Sequence, residues 1–271
     1  AGADPGPACY GRGGTAPTVT DADLVLGRIP TGAAFPGLGR LDAEAAAKAL
    51  EAAGITAEGV VAVVDAAMEQ AIRAVTVERG VDPRDLALVA FGGAGPLHAV
   101  ALAEALDMRA VIVPPRAGAL SAVGLLCSPR QRELVRSWPT PGDLDHLEEA
   151  LAELAGQARA AVAGSGDVEV EVALDCRYAG QSHELTVRAV EDFGAEHERR
   201  NGYTRPGAPV EVVALRARAR RPAPLDPEDL PSVSRERIEG PAVAAEPDCT
   251  MWVPEGWTAE PQASGAWVIT R

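Results

Sequence analysis

From Asp42 onward the apolar positions recur at helical spacing, and they punctuate the chain into short elements. "LDAEAAAKALEAAG" predicts a helix with Asp42 as N-cap and Gly54 as its stop. A second helix begins at Thr56 or Ala57 and ends at Gly80. Its stripe of Val60, Val64, Met68, Ile72 and Val75 predicts one face packed on a core. Glu69 and Arg73 form an i,i+4 pair on another face. After the turn "DPRD", Leu86 to Phe91 is an unbroken apolar run suited to a buried strand. Pro96 fits the first turn of a helix that continues from Leu97 to Leu106. "RAVIVPP" then predicts a strand and "GALSAVGLL" a short helix. Strand, helix, strand, helix at this spacing implies a parallel or mixed sheet with crossover helices.

Beyond Arg130 the pattern changes. "LDHLEEALAELAGQARAAVA" predicts an amphipathic helix, and "DVEVEVALDCRY" and "SHELTVRAV" predict two strands. In the first strand Glu169, Glu171 and Asp175 face away from Val168, Val170, Val172 and Leu174. "VEVVALRARARR" aligns Arg216, Arg218 and Arg220, and such opposite-sign faces suit neighbouring strands with a solvated surface. The expected organisation is an α/β domain over residues 1–135, an α+β region over 136–221, a Pro- and charge-rich linker over 222–240, and a small β-rich tail over 241–271.

Composition narrows the function classes. The chain has 271 residues, of which 47% are hydrophobic, so it can bury a sizeable core. A net charge of −14 argues against a nucleic-acid groove or an anionic membrane surface. No apolar run approaches the roughly 20 residues of a membrane helix. Cys9, Cys127, Cys176 and Cys249 are scattered, so reduced thiols in a cytoplasm are expected, with neither a disulfide framework nor a metal site. Lys48 is the sole lysine, which excludes a Gly-Lys-Ser/Thr phosphate loop. The chain opens without methionine, as though cut from a longer protein.

The candidate chemistry centres on "LALVAFGGAGPLHAVALAEAL". Gly92, Gly93, Ala94 and Gly95 lie between a strand and a helix start. Such a turn lets a ligand approach main chain, or simply makes a tight connection. A dinucleotide fingerprint fits badly: His98 stands where a third small residue belongs, and "VIVPPR" lacks the acidic residue that holds a ribose. His98 is a candidate for substrate or nucleotide contact, or else a packed helix residue. Arg73 either faces a nucleotide cleft or only pairs with Glu69. In "GADPGPACYG", Asp4, Cys9 and Tyr10 form a rigid loop able to line a substrate pocket, though Cys9 also reads as a small buried residue. Asp21 reads as a helix cap or a polar site residue, and Asp23 as a polar site residue.

"GADPGPACYGRGGTAPTVTDADLVLGR", "AIRAVTVERGVDPRDLALVAFGGAGPLHAVALAEAL", "VPPRAGALSAVGLL" and "DCRYAGQSHELTV" together resemble the hydantoinase/oxoprolinase family, in particular its N-methylhydantoinase A-type subunit. A related subunit occurs in acetone carboxylase. The resemblance implies an actin-like ATPase half-domain in which Phe91 to Pro96 lies against the adenosine side of ATP, with Asp4 and His98 as catalytic candidates. It implies ATP-driven phosphorylation of a cyclic amide or ureide carbonyl, with a B-type subunit as partner. Only through this resemblance are Tyr178, Gln181 and Glu184 candidates, for a subunit contact. The family's Gly-Gly-Thr phosphate loops have no counterpart here, since "RGGTAPT" (Arg12 to Thr18) carries no aspartate close behind it. The resemblance therefore implies a C-terminal half, with phosphate and Mg2+ ligands on an N-terminal half of the same subunit type. Alone, such a chain is expected to be inactive. The alternative is a non-catalytic assembly module that binds a partner without ATP turnover.

Overall fold

The computed structural model describes residues 2, 4–32, 34–35, 39–162, 164 and 166–271. Ala1, where the sequence opens without methionine, and Ala163, the last residue of the predicted amphipathic helix, lie outside the described residues. The chain divides into two compact units. One joins Ala1–Val123 to Pro231–Arg271, and the other is Gly124–Leu230.

The first unit opens with α1 (Val19–Val25), a small hairpin of β1 (Ala34–Phe35) and β2 (Gly39–Arg40), α2 (Ala43–Ala53) and α3 (Ala57–Val75). The helix boundaries fall where local chemistry sets them. Asp42 caps α2 by accepting from the Ala45 amide at 2.9 Å, and Thr56 caps α3 by accepting from the Gly59 amide at 3.1 Å. Gly54 ends α2 in the left-handed region, at φ 67°. Next come β3 (Ala87–Val89), α4 (Gly95–Ala105) and β4 (Ala110–Val113), and then α5 (Leu120–Leu126), within which the first segment of this unit ends at Val123. β3 and β4 are parallel, with α4 as the crossover between them. α4 is apolar around much of its circumference and accordingly deeply buried, from Pro96 through Val100 and again at Leu102 and Ala103.

The second unit contains β5 (Arg130–Ser137), α6 (Leu147–Ala161), β6 (Glu169–Tyr178), β7 (Leu185–Val187), α7 (Phe193–Asn201) and β8 (Val210–Arg221). Its strands form an antiparallel sheet in the order β5-β8-β6-β7. A single apolar cluster joins Leu154 of α6 and Phe193 of α7 to Leu174, Val212 and Leu215 of the sheet. The predicted charge complementarity is present. Arg220 sits opposite Glu169 and Arg218 opposite Glu171 in the register, and Arg216 binds Asp175 at 2.8 Å. These are solvated or half-solvated pairs, each worth little by itself.

The chain then returns to the first unit with β9 (Ile238–Glu239), β10 (Ala242–Ala245), β11 (Thr250–Val253), β12 (Thr258–Pro261) and β13 (Trp267–Thr270). β13 pairs antiparallel with β4, giving a mixed five-stranded sheet in the order β3-β4-β13-β12-β9. Val111 and Val113 of β4 share one core with Ala99 and Val100 of α4, Met251 and Val253 of β11, and Trp257 and Ile269. The last thirty residues thus build the middle of the sheet that carries the glycine turn.

Two apolar expectations meet a different environment. Along α3 the fully buried positions are Ala57 and Val61, whereas Val60, Val64, Met68 and Ile72 are only half-buried and Val75 is 57% exposed. The run from Leu86 to Phe91, suited to a buried strand, lies at the outer edge of the sheet. Periodicity reports which face is apolar; it does not report whether a neighbour covers it.

Candidate functional site

The glycine turn leaves β3 and enters α4. Gly92 has φ 87°, a conformation in which a side chain would be strained, and its amide donates to the Ala117 carbonyl at 2.8 Å. The Gly93 carbonyl accepts from the Thr250 amide at 3.1 Å, which fastens the turn to the start of β11. Gly118 completes this corner. A Cβ there would meet the Asp248 carbonyl oxygen at 1.6 Å, so only glycine lets the loop before β11 lie so close. The Asp248 carboxylate accepts from the Gly118 and Ala119 amides at 3.0 and 3.2 Å.

A cavity of about 280 Å³ opens at this corner, near the low end of the roughly 300–1,000 Å³ usual for small-molecule sites. Gly93 and Ala94 form one wall, Ile29, Leu41 and Leu97 an apolar side, Tyr10 and Thr20 a polar edge, and residues 246–250 the opposite wall. No lysine or arginine occurs among its described lining residues. Exposed main chain beside an apolar wall suits a nucleoside, while nothing in the lining would neutralise a triphosphate. A larger open groove of about 810 Å³ lies along Thr18, Ile55, Val60 and Val63, and its described lining holds no titratable side chain.

Glu246, Asp248 and Cys249 present ligand atoms within 4.8 Å of one another, yet they do not fit a magnesium ion. Glu246 is bound by Arg235 through Nε and Nη2, at 2.8 and 2.5 Å, and Asp248 is committed to the two amides. Burial, with Glu246 alongside, pushes the Cys249 thiol up to about 12.

The structure separates the predicted site residues. Tyr10 lines the cavity, as do Gly93 and Ala94. Cys9 is buried behind it, and burial followed by a hydrogen bond to Asp21 pushes its thiol up to about 12, which disfavours the thiolate at neutral pH. Asp4 is exposed and does not line the cavity. Arg73 binds Glu69 at 2.7 Å and reaches the Ala105 carbonyl at 3.5 Å. That places it at the far end of α4 from the glycine turn, about 15 Å away at the helical rise. His98 is buried, and its ring lies between two helices' carboxylates. Nδ1 is hydrogen-bonded to Asp65 on α3 at 2.7 Å, and Nε2 lies 3.6 Å from Asp23 on α1, beyond hydrogen-bond distance. His98 thus ties α4 to α3, and it does not line the cavity. Burial raises the Asp23 carboxyl, against the lowering influence of His98 and then Arg28.

The loop of residues 246–250, Asp65 and Arg235 escaped the sequence reading. Asp65 carried one usable signal, a lone acid among the apolar positions of α3. The loop carried none, because its role depends on a strand pairing across more than a hundred residues.

The buried thiols yield a direct check. At pH 8 a thiol near pKa 12 is thiolate in about one part in ten thousand, and Cys176 is likewise pushed by burial up to about 11. Brief iodoacetamide treatment of the folded chain is expected to label the half-exposed Cys127 and spare the other three, as read by peptide mass spectrometry. Equal labelling of Cys9 would refute the packing described around Asp21.

Comparison with known proteins agrees with this architecture. Residues 1–133 match the hydantoinase/oxoprolinase family. The chain is 33% identical to the caprolactamase alpha subunit of Pseudomonas jessenii, covering 100% of this chain and 48% of that protein. The crystal structure of the ATP-dependent caprolactamase from the same organism superposes with a TM-score of 0.62 at 30% identity, over 100% of this chain and 49% of the other. Nucleotide-free acetone carboxylase shares the fold with a TM-score of 0.82 at 20% identity, over 97% of this chain and 48% of the other. The chain thus spans about half the length of these relatives. Among the described residues no helix is long and apolar enough to cross a membrane. With its mixed α/β architecture and these relatives together, the chain belongs to the hydantoinase/oxoprolinase superfamily.

Proposed function

We propose that the chain is the nucleoside-holding half of an ATP-dependent subunit that activates a cyclic amide or ureide carbonyl by phosphorylation. The observation that carries this reading is the cavity where Gly93 and Ala94 bare main chain beside Leu97 and Tyr10. A purine nucleoside would be held there by the main chain of Gly93 and Ala94 and by the apolar side chains of Ile29, Leu41 and Leu97. The β3-α4-β4 crossover supports an actin-like half-domain. ATP bound with Mg2+ supplies the phosphoryl group. Its phosphates and metal would be held by the N-terminal half of the same subunit type, because the described lining of this cavity has acidic and no basic residues. A B-type subunit completes hydrolysis, and a lactam or related ring is the substrate class, by analogy with the caprolactamase relative.

The second reading is an assembly module without nucleotide turnover. It is favoured by the burial of His98 and Cys9, neither of which lines the cavity. Calorimetric titration of the full chain separates the two. Adenosine and ADP are expected to bind in preference to cytidine, and Ala94→Phe to weaken adenosine by at least roughly tenfold, about 1.4 kcal/mol, at unchanged melting temperature. No difference between adenosine and cytidine would leave only the assembly reading. On either reading the purified chain shows no metal-dependent ATP turnover by itself.

A further inference from the structure

The run "LALVAF" is apolar at every position, the pattern of a strand covered on both faces and continued on both sides. In the structure β3 is outermost, with Val89 51% and Phe91 53% exposed. The Arg109 amide donates to the Leu86 carbonyl at 3.4 Å and the Ala90 amide to the Ile112 carbonyl at 2.8 Å. The even-numbered residues therefore turn their main-chain groups to β4. Alternation turns those of Ala87 and Val89 outward, where β3 has no partner strand among the described residues. Edge strands of finished sheets are guarded by lysine, proline or a bulge; residues 86–91 contain no lysine or proline, and the β3–β4 register is regular. Beside this edge lies an apolar slot of about 130 Å³ among Met68, Ile72, Leu88, Phe91 and Ala99. The same helix that contributes Met68 carries the half-covered stripe and Val63, which is 71% exposed.

We propose that this edge is a docking strand. An extended apolar segment from the other half of the subunit adds to β3 through the main-chain groups of Ala87 and Val89, and sets a side chain into the slot at Met68 and Phe91. The proposal rests on the two-half reading above and identifies where the halves meet. The occupant follows from length: this chain covers 48% of the caprolactamase alpha subunit and 49% of the solved caprolactamase chain, so a subunit of this superfamily has a comparable second half to place. Strand addition suits a parallel pair with its crossover helix, because such sheets are buried within larger ones.

The test uses the full chain together with the half of the P. jessenii caprolactamase alpha subunit that lies outside the matched region. Main-chain pairing tolerates side-chain divergence, so the relative's half serves as the probe. Two variants block the edge. Val89→Pro removes an amide that points outward and costs no bond to β4, and Ala87→Lys places a charge on the edge. Equimolar association is expected, with amide exchange at Ala87 and Val89 slowed at least roughly tenfold. Each variant is expected to weaken association roughly a hundredfold while circular dichroism and melting stay unchanged. Association that ignores both variants, or no association at all, overturns the proposal. So does self-association of the chain alone that protects the same amides, since the occupant would then be a second copy. Adenosine titration of the chain by itself is independent of the edge, so its failure would remove the nucleotide reading and leave the docking strand standing.

Discussion

Replacing Asp21 by alanine is expected to cost about 3–5 kcal/mol of folding stability, measured by urea unfolding, and to free the loop around Cys9 first. The carboxylate is completely buried, and four donors converge on it. The Cys9 amide lies at 2.8 Å, the Ala8 amide at 3.2 Å, and the Thr18 amide and hydroxyl each at 2.8 Å. The last two, with Thr18 accepting from the Asp21 amide, form a capping box at the start of α1. Truncation leaves buried donors without partners, and each unsatisfied group costs on the order of 1–3 kcal/mol. Asp21→Asn keeps the volume but carries an NH2 where only acceptors fit, and should recover little. Early exposure of Cys9 to iodoacetamide in either variant marks the loop as the first part to leave. A loss under about 1 kcal/mol would show that these four bonds are not made together in solution.

The second large effect is expected at Arg235. Its side chain is 1% exposed and lies over the Trp267 ring at 4.0 Å. It donates to the carbonyls of Val113 at 2.8 Å, Gly265 at 2.9 Å and Pro114 at 3.2 Å, and pairs with Glu246. One guanidinium thus holds the end of β4, the turn before β13 and the wall of the candidate cavity. Arg235→Leu strands a partly buried carboxylate and three carbonyls, for a loss of about 3–5 kcal/mol. Arg235→Lys should recover only part of it, because a single ammonium cannot reproduce the fork or the stacking. The check is thermal melting together with adenosine titration below the transition. Loss of nucleoside affinity in a still-folded variant would tie the clamp to the cavity. A melting curve like the parent's for Arg235→Leu would contradict the burial described.

Legibility in the sequence followed the range of the interaction. Asp42, Thr56 and Gly54 set helix ends that a reader finds without coordinates, because each acts on amides within four residues. Asp21 was half legible: its position at the start of α1 marks a cap, but its bonds to Ala8 and Cys9 depend on a loop folding back. His98 was legible as a residue at a helix start, while the carboxylates beside it, on α1 and α3, were not. Arg235 was hidden in a segment whose prolines and charges read as a linker. The apolar stripe of α3 and the run from Leu86 to Phe91 were legible as apolar; their exposure was not.

By itself the sequence determined the elements from α2 to α5, the amphipathic α6, the capping chemistry, the alternating faces of β6 and β8, and the strand–glycine–helix turn, but not β5 or α7. All of these arise from contacts within a turn of helix or between alternate positions of a strand. The tertiary structure alone decided that β13 pairs with β4 and that residues 246–250 wall the glycine corner. It likewise decided that Arg235 is buried and that β3 is left open at the edge of the sheet. The first three join residues more than a hundred positions apart, and periodicity along a chain carries no record of which distant segment closes against which, or of which edge is left uncovered.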